Sequence, residues 1–102
     1  MGRIKIEEYL KDLGWNVSTC DRVLTIQRHT PLGEDWFYEL PLDNLENKLI
    51  ELYSNFDVDE EAAFWIERRG ENGVPDSVKD LLEDAEWKEK ELEKIYDLIM
   101  RI

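Results

Sequence analysis

Cysteine and histidine are almost absent from this 102-residue sequence, which contains one of each. The single Cys20 cannot form an intramolecular disulfide. Cys20 and His29 could meet if the first two predicted strands pair, but no third group that would orient a catalytic base accompanies them. We therefore expect Cys20 to be inert packing, His29 to be structural or solvated, and the protein not to be an enzyme.

The sequence also lacks a long apolar run, a basic leader followed by an apolar segment, and any Pro-, Gly- or Ser-rich stretch long enough to be a linker. The first two absences predict a cytoplasmic protein, and the third predicts one domain over residues 1–102. Gly33, Gly70 and Gly73 are isolated turn glycines without a phosphate-loop pattern, and we expect no cofactor.

Basic residues are scarce: 13 Lys and Arg stand against 25 Asp and Glu, a net charge of −12. Residues 1–42 hold 7 acids and 5 bases (−2), whereas residues 43–102 hold 18 acids and 8 bases (−10). Such a charge repels nucleic-acid phosphates and anionic lipids, which disfavours direct binding to either. It attracts basic protein surfaces, although it also serves solubility alone.

The first 42 residues predict a short helix and three strands. Ile6, Tyr9, Leu10 and Leu13 recur at helical spacing before Gly14 stops the helix. The segments WNVSTC, RVLTIQRH and WFYEL are typical of strands and are separated by short breaks, which favours an antiparallel meander. Leu24 and Ile26 would share one covered face with Arg28, whereas Val23, Thr25 and Gln27 would lie on the other, partly wet face.

The sequence pattern after residue 42 predicts three helices. Asp43 with Glu46, and Asp57 with Glu60, have the spacing of helix caps, and Pro75-Asp76-Ser77 predicts the start of a long final helix. GENG at 70–73 would end the middle helix. The first of these helices carries an apolar stripe of Leu45, Leu49, Leu52 and Tyr53. The final helix carries a longer apolar seam, formed by Val78, Leu81, Leu82, Ala85, Leu92, Ile95, Leu98, Ile99 and Ile102.

The charged segment in the middle of the final helix completes the fold prediction. Its WKEKELEK segment (87–94) is typical of a solvated face whose mixed charges support the helix. The elements together predict an α+β fold, a three-stranded antiparallel meander with one preceding and three following helices, the last one long.

The acidic segment DVDEEAAFWI (57–66) suggests a metal site, but the pattern fails. An EF-hand loop beginning at Asp57 requires glycine at its sixth position and glutamate at its twelfth, where this sequence has Ala62 and Arg68. Carboxylates in a first helical turn cap free N–H groups and interact with the helix dipole, so we expect a helix start and no metal.

Four tryptophans supply much of the apolar area. Trp15, Trp36 and Trp65 fall inside apolar patterns and are predicted to be core residues. Trp87 has two interpretations, a half-buried seam residue or an exposed anchor for a partner.

Two segments resemble a known family. They are HTPLGEDWFYEL (29–40) and FDVDEEAAFWIERRGENGVPDSVKDLLEDAEWKEKELEKI (56–95), and they are similar to small acidic proteins encoded on phages and conjugative elements of Firmicutes. Such proteins are in turn similar to modules of large polyvalent proteins, and this implies protection of the element from host defence in a bacterial cell. The matching positions are Glu34, Asp35, Asp57, Asp59, Glu60, Trp65, Val74, Pro75, Leu82, Glu83, Asp84 and Ala85, whereas Arg68, Arg69 and Trp87 are less typical.

Charge and resemblance together predict a non-enzymatic inhibitor, an anti-CRISPR or antirestriction protein that mimics nucleic acid on the basic surface of a host nuclease. The residues predicted to contact that partner lie on the third and fourth helices: Asp59, Glu60, Glu61, Glu67, Asp80, Glu83, Asp84, Glu86, Trp87, Glu89 and Glu93. The alternative is a homodimer or adaptor that pairs through Leu92, Ile95, Ile99 and Ile102.

Overall fold

A computed structural model describes residues 3–101, without the side chains of Arg3 and Ile4. It confirms the α+β prediction, with an antiparallel sheet of three strands, one helix before it, three after it and a long final helix. The elements in chain order are α1 (Arg3–Asp12), β1 (Asn16–Cys20), β2 (Val23–His29), β3 (Asp35–Pro41), α2 (Leu45–Ser54), α3 (Val58–Glu67) and α4 (Val78–Met100).

The sheet is a meander in the order β1-β2-β3, with both neighbouring pairs antiparallel. Asp21 and Arg22 form the two-residue connection between β1 and β2, with φ angles of 51° and 65°. Positive φ at both central residues is the conformation that matches the twist of a tight hairpin. This short turn fixes the register in which Cys20 lies opposite Val23.

The inner face of the sheet carries the core. Leu24 and Ile26 of β2 are fully buried, and Trp36 and Leu40 of β3 lie on the same side. Helix α4 adds Leu92 to this core. Further core side chains come from the helices and from the residue directly before β1: Ile6, Leu10, Trp15, Leu45, Leu49, Ile95 and Ile99. The opposite face of the sheet remains open, as the strand alternation predicted.

Helices α2 and α3 both pack against α4. Tyr53 of α2 contacts Tyr96 in the C-terminal half of α4, whereas Glu61 of α3 bonds Lys88 near its middle. The 23 residues of α4 span about 34 Å at 1.5 Å per residue. Helix α4 is therefore the element to which the other layers are attached.

Two of the three predicted helix starts are confirmed. The Asp57 carboxylate accepts hydrogen bonds from the backbone N–H groups of Asp59 and Glu60, and the Ser77 hydroxyl accepts one from Asp80 N. The predicted cap at Asp43 is wrong. Asn44 precedes α2 in a left-handed conformation with φ of 60° and makes no side-chain cap bond, while Asp43 forms an exposed ion pair with Arg22.

The seam of α4 is partly different from the prediction. Val78 and Leu82 are exposed, because they lie outside the stripe that faces the core, and Ile102 lies outside the described residues. Trp65, predicted to be core, is only half-buried. The largest difference concerns 87–94, where Lys88 and Glu91 are buried and the prediction of a solvated face is wrong.

Candidate partner-binding site

The solvent side of α4 carries a regular row of carboxylates, which we call the acidic row: Glu86, Glu89, Glu93 and Asp97. Their spacings of three, four and four residues place them on one side of the helix, about 4.5 to 6 Å apart along its axis. Glu86, Glu93 and Asp97 are exposed and Glu89 is half-exposed. The chain thus displays several charges of one sign along one rigid element.

Tyr53 of α2 lies beside this row. Its hydroxyl donates a hydrogen bond of 2.9 Å to Glu93 Oε2. That bond raises the pKa of Tyr53, and the charges of Glu93, Glu89 and Asp97 raise it further. Tyr53 thus joins α2 to the acidic row at Glu93.

The acids predicted on α3 divide into two groups. Asp59, Glu60 and Glu67 are exposed, as partner contacts must be. Glu61 is instead directed into the protein, where its Oε2 accepts hydrogen bonds from Trp65 Nε1 at 2.8 Å and from Lys88 Nζ at 2.6 Å. Since its carboxylate is used internally, Glu61 is not available as a simple surface charge.

Four of the predicted residues meet in one surface groove at the start of α4, which we call the Trp87 groove. Its volume is about 260 Å³, and it is lined by Pro31, Leu32, Asp80, Glu83, Asp84 and Trp87. The chain segment between β2 and β3 forms one wall and α4 the other. The structure thus combines an apolar wall, an indole and carboxylates, which suits a long basic side chain.

Trp87 itself is half-buried, the first of its two interpretations. Its ring lies 5.8 Å from that of Trp36, and the Arg28 guanidinium lies 4.8 Å from the Trp87 centroid. Trp87 also lines the groove, so part of its surface remains accessible to a partner.

Lys88 of α4 is buried between two carboxylates. Its ammonium donates to Glu34 Oε1 and Glu61 Oε2, each at 2.6 Å, and its side chain is 1% exposed. Glu34 belongs to the β2–β3 connection and Glu61 to α3, so these bonds join three parts of the fold. Partial burial raises the pKa of Glu34, although the hydrogen bond and charge of Lys88 oppose that rise.

A second buried ion pair joins β2 to α4. The Arg28 guanidinium contacts the Glu91 carboxylate, whose other oxygen accepts from Lys94 at 2.8 Å. Burial acts to raise the pKa of Glu91, but the hydrogen bonds from Lys94 and Arg28 outweigh it and lower the pKa. Gly14 makes room for Arg28: a Cβ at Gly14 would lie 3.2 Å from the guanidinium, and its φ of +102° also favours glycine.

The pKa of Tyr38 gives a direct test of burial in this part of the protein. Burial raises the pKa of Tyr38 to about 12, and its Oη accepts a hydrogen bond of 3.1 Å from Trp36 Nε1. Since the folded protein holds this proton more tightly than the unfolded chain, the associated stability is complete below pH 10 and is lost between pH 10 and about 12. We expect a loss of about 3 kcal/mol across that window.

The measurement is tyrosinate absorbance against pH, combined with urea denaturation at each pH. Tyr38→Phe should remove the late titration step and flatten the alkaline fall in stability. Titration of Tyr38 at the ordinary tyrosine pKa would contradict its burial.

The structure separates Cys20 from His29, the pair considered above for nucleophilic catalysis. Cys20 lies at the β1 end that pairs with Val23, whereas His29 is at the far end of β2, beyond the Asn16–Gln27 pair. Cys20 is exposed, so its prediction as packing is wrong. Within residues 3–101, no group of three or more His, Cys, Asp or Glu residues is arranged to hold a metal ion. No helix in that part of the chain is long and apolar enough to cross a membrane.

Sequence reasoning placed Arg28 on the covered face of β2 but missed its ion pair with Glu91. It also missed the burial of Lys88 and Glu91 and the partial burial of Glu34. One signal was available for Lys88: it occupies the missing position in the buried series Leu81, Ala85, Leu92, Ile95 and Ile99, whose spacing alternates between three and four once residue 88 is included. A lysine on an apolar stripe indicates a buried partner. The partner Glu34 lies 54 residues earlier in the sequence, and nothing in the residues around Lys88 indicates it.

Comparisons with protein-family models, with curated proteins and with solved structures found no significant match. The resemblance of residues 29–40 and 56–95 to small acidic proteins of mobile elements therefore stays a prediction, and what this chain does must be inferred from its own surface.

Proposed function

We propose that this protein is a non-enzymatic inhibitor that covers the basic, nucleic-acid-binding surface of another protein. In the more specific form suggested by the resemblance, the target is a CRISPR or restriction nuclease of a bacterial host, and the inhibitor is encoded by a mobile element. The observation that carries the proposal is the acidic row together with the exposed acids of α3, an excess of carboxylates over the exposed Lys79, Lys90 and Lys94 on two packed helices.

The physical basis of this proposal is that carboxylates can take the place of nucleic-acid phosphates. A protein groove lined with Lys and Arg binds phosphates through charge attraction and charge-assisted hydrogen bonds. Carboxylates held in a row offer the same groove the same two interactions, and their field speeds the encounter. While the groove is occupied in this way, nucleic acid cannot enter it.

The structure narrows the set of residues that would make this contact. Asp59, Glu60, Glu67, Asp80, Glu83, Glu86 and Glu93 are exposed, and Glu89 and Trp87 are partly exposed. Asp84 is 7% exposed and Glu61 is bound to Lys88, so neither is a simple surface charge.

The alternative, pairing through the seam of α4, has less support. Leu92 and Ile95 are fully buried and Ile99 is 6% exposed, all within the core that α4 shares with the sheet and α2. A partner could reach these side chains only by displacing that core.

The test uses a panel of purified CRISPR effectors and restriction nucleases, with DNA binding measured by fluorescence anisotropy at low and high salt. We expect the protein to block DNA binding by at least one of them, more strongly at low salt. The variant Glu86→Gln/Glu89→Gln/Glu93→Gln should weaken inhibition about tenfold, mainly through slower association.

The matched control is Glu8→Gln/Asp12→Asn/Glu39→Gln, which removes three exposed acids from α1 and β3 and changes the net charge equally. Its inhibition should stay close to that of the unchanged protein. Equal effects of both variants, or no inhibition of any nuclease, would count against the proposal.

A further inference from the structure

Asp84 is the most unusual carboxylate on α4. It is 7% exposed, and its Oδ1 accepts a hydrogen bond of 3.3 Å from Leu32 N. Across residues 3–101, no Lys, Arg or His side chain forms an ion pair with it. Asp84 lines the Trp87 groove, so its carboxylate can be reached from solvent, and a cation bound there would supply the ion pair that the described residues do not.

Asp84 lines a second cavity, distinct from the Trp87 groove, which we call the Asp84 cavity. Its volume is about 240 Å³, and it lies between the β2–β3 connection and the loop that precedes α4. Apolar lining comes from Trp65, Leu81 and other side chains, and the charged lining consists of Glu34 and Asp84. At about 30 Å³ per water molecule the space equals roughly eight waters, enough for one long side chain.

The charge around this cavity is unbalanced. Lys88 is a single cation shared between Glu34 and Glu61, and Asp84 adds a third carboxylate nearby. Glu34 and Asp84 both line this cavity, so the two carboxylates share one site. Two negative charges thus remain in excess at a site that is partly closed to water.

We propose that the Asp84 cavity receives an arginine side chain of a protein partner. This rests on the proposed function, since it names the residue type by which a basic nucleic-acid-binding surface would be anchored. A guanidinium presents five N–H donors in a fixed plane and can bond both Glu34 and Asp84, whereas an ammonium is a compact point charge. The alkyl stem of the arginine would pack on Val74, Pro75 and Leu81, and its charged end would also meet the Trp65 indole.

The test needs no nuclease. N-acetyl-arginine-methylamide is titrated into the ¹⁵N-labelled protein, and NMR shifts are followed at the Trp65 indole N–H and the Leu32 backbone N–H. We expect saturable shifts at both positions with a dissociation constant of roughly millimolar order, as a ligand of this size allows. The citrulline analogue, which has nearly the same shape without charge, should not bind, and the lysine analogue should bind several-fold more weakly.

Asp84→Asn should weaken arginine binding at least about fivefold, the loss of one charge-assisted hydrogen bond. The asparagine oxygen can still accept from Leu32 N, so the loop contact is retained. The matched control is Asp80→Asn, which removes an equal charge one turn earlier on α4, at an exposed position that does not line the Asp84 cavity.

Binding of citrulline as strong as that of arginine, absence of shifts at Trp65 and Leu32, or equal weakening by both variants would overturn the inference. If the lysine analogue bound as tightly as the arginine analogue, the proposal that the cavity prefers a guanidinium would be wrong. The comparison of probes on the unchanged protein stands even if a variant fails to fold. The titration contains no nuclease, so the two proposals are tested separately. Absence of arginine binding would not contradict nuclease inhibition, and absence of nuclease inhibition would not contradict arginine binding in the cavity.

Discussion

Replacing Lys88 by methionine is expected to lower the free energy of unfolding by about 3 kcal/mol, the lower end of the cost of breaking a buried ion pair. Methionine keeps the length of the side chain but leaves Glu34 and Glu61 facing each other without a cation. Their side chains are 25% and 29% exposed, so water can compensate in part. Urea denaturation followed by tryptophan fluorescence measures the change.

The control for this prediction is Lys90→Met, two residues further along α4 and exposed. An exposed charge of this kind contributes within about 0.5 kcal/mol. The loss at Lys88 should also shrink in acid, because protonation of Glu34, whose pKa is raised, removes one of the two unpaired charges. Equal effects at both lysines would show that the Lys88 ammonium is solvated.

Ile95→Ala is expected to lower the free energy of unfolding by about 2–5 kcal/mol through a cavity in the core. Ile95 is fully buried, together with Leu24, Leu49 and Leu92. The loss should appear in urea denaturation as a lower midpoint with an unchanged slope. Leu82→Ala, on the same helix but 40% exposed, is the control and should cost much less.

The same variant separates the two functional hypotheses for α4. If the seam were an interface between two copies, stability would depend on protein concentration, and Ile95→Ala would remove that dependence. We expect the midpoint to be independent of concentration in both proteins. A midpoint that rises with concentration would support the alternative of a homodimer.

The sequence predicted those parts of the fold that depend on local patterns. The alternation in β2 correctly placed Leu24 and Ile26 on the covered face. The cap spacing of Asp57 with Glu60 and the segment Pro75-Asp76-Ser77 correctly located two helix starts. The same rule failed at Asp43, because the residue after it adopts a left-handed conformation that no spacing rule records.

The candidate site was only partly predictable, because burial of a charged residue depends on distant partners. Glu83 and Asp84 are adjacent acids on one helix, yet Glu83 is exposed and Asp84 is covered by Leu32 of a different segment. Lys88 resembles the other lysines of 87–94 in sequence, and only its contact with Glu34, far away in the chain, distinguishes it. The sequence thus named acids of α4 but could not tell its exposed charges from its buried ones.

The attachment of α4 on several sides has a consequence for recognition. Glu34 and Glu61 hold it through Lys88, Arg28 holds it through Glu91, and Tyr53 packs beside Tyr96. The backbone that carries the acidic row is therefore already ordered in the free protein. A partner that binds there does not have to fold a flexible segment, so the loss of conformational entropy on binding is confined to side chains. Under the proposed function, the ordered helix would favour basic surfaces whose charges match the spacing of Glu86, Glu89, Glu93 and Asp97.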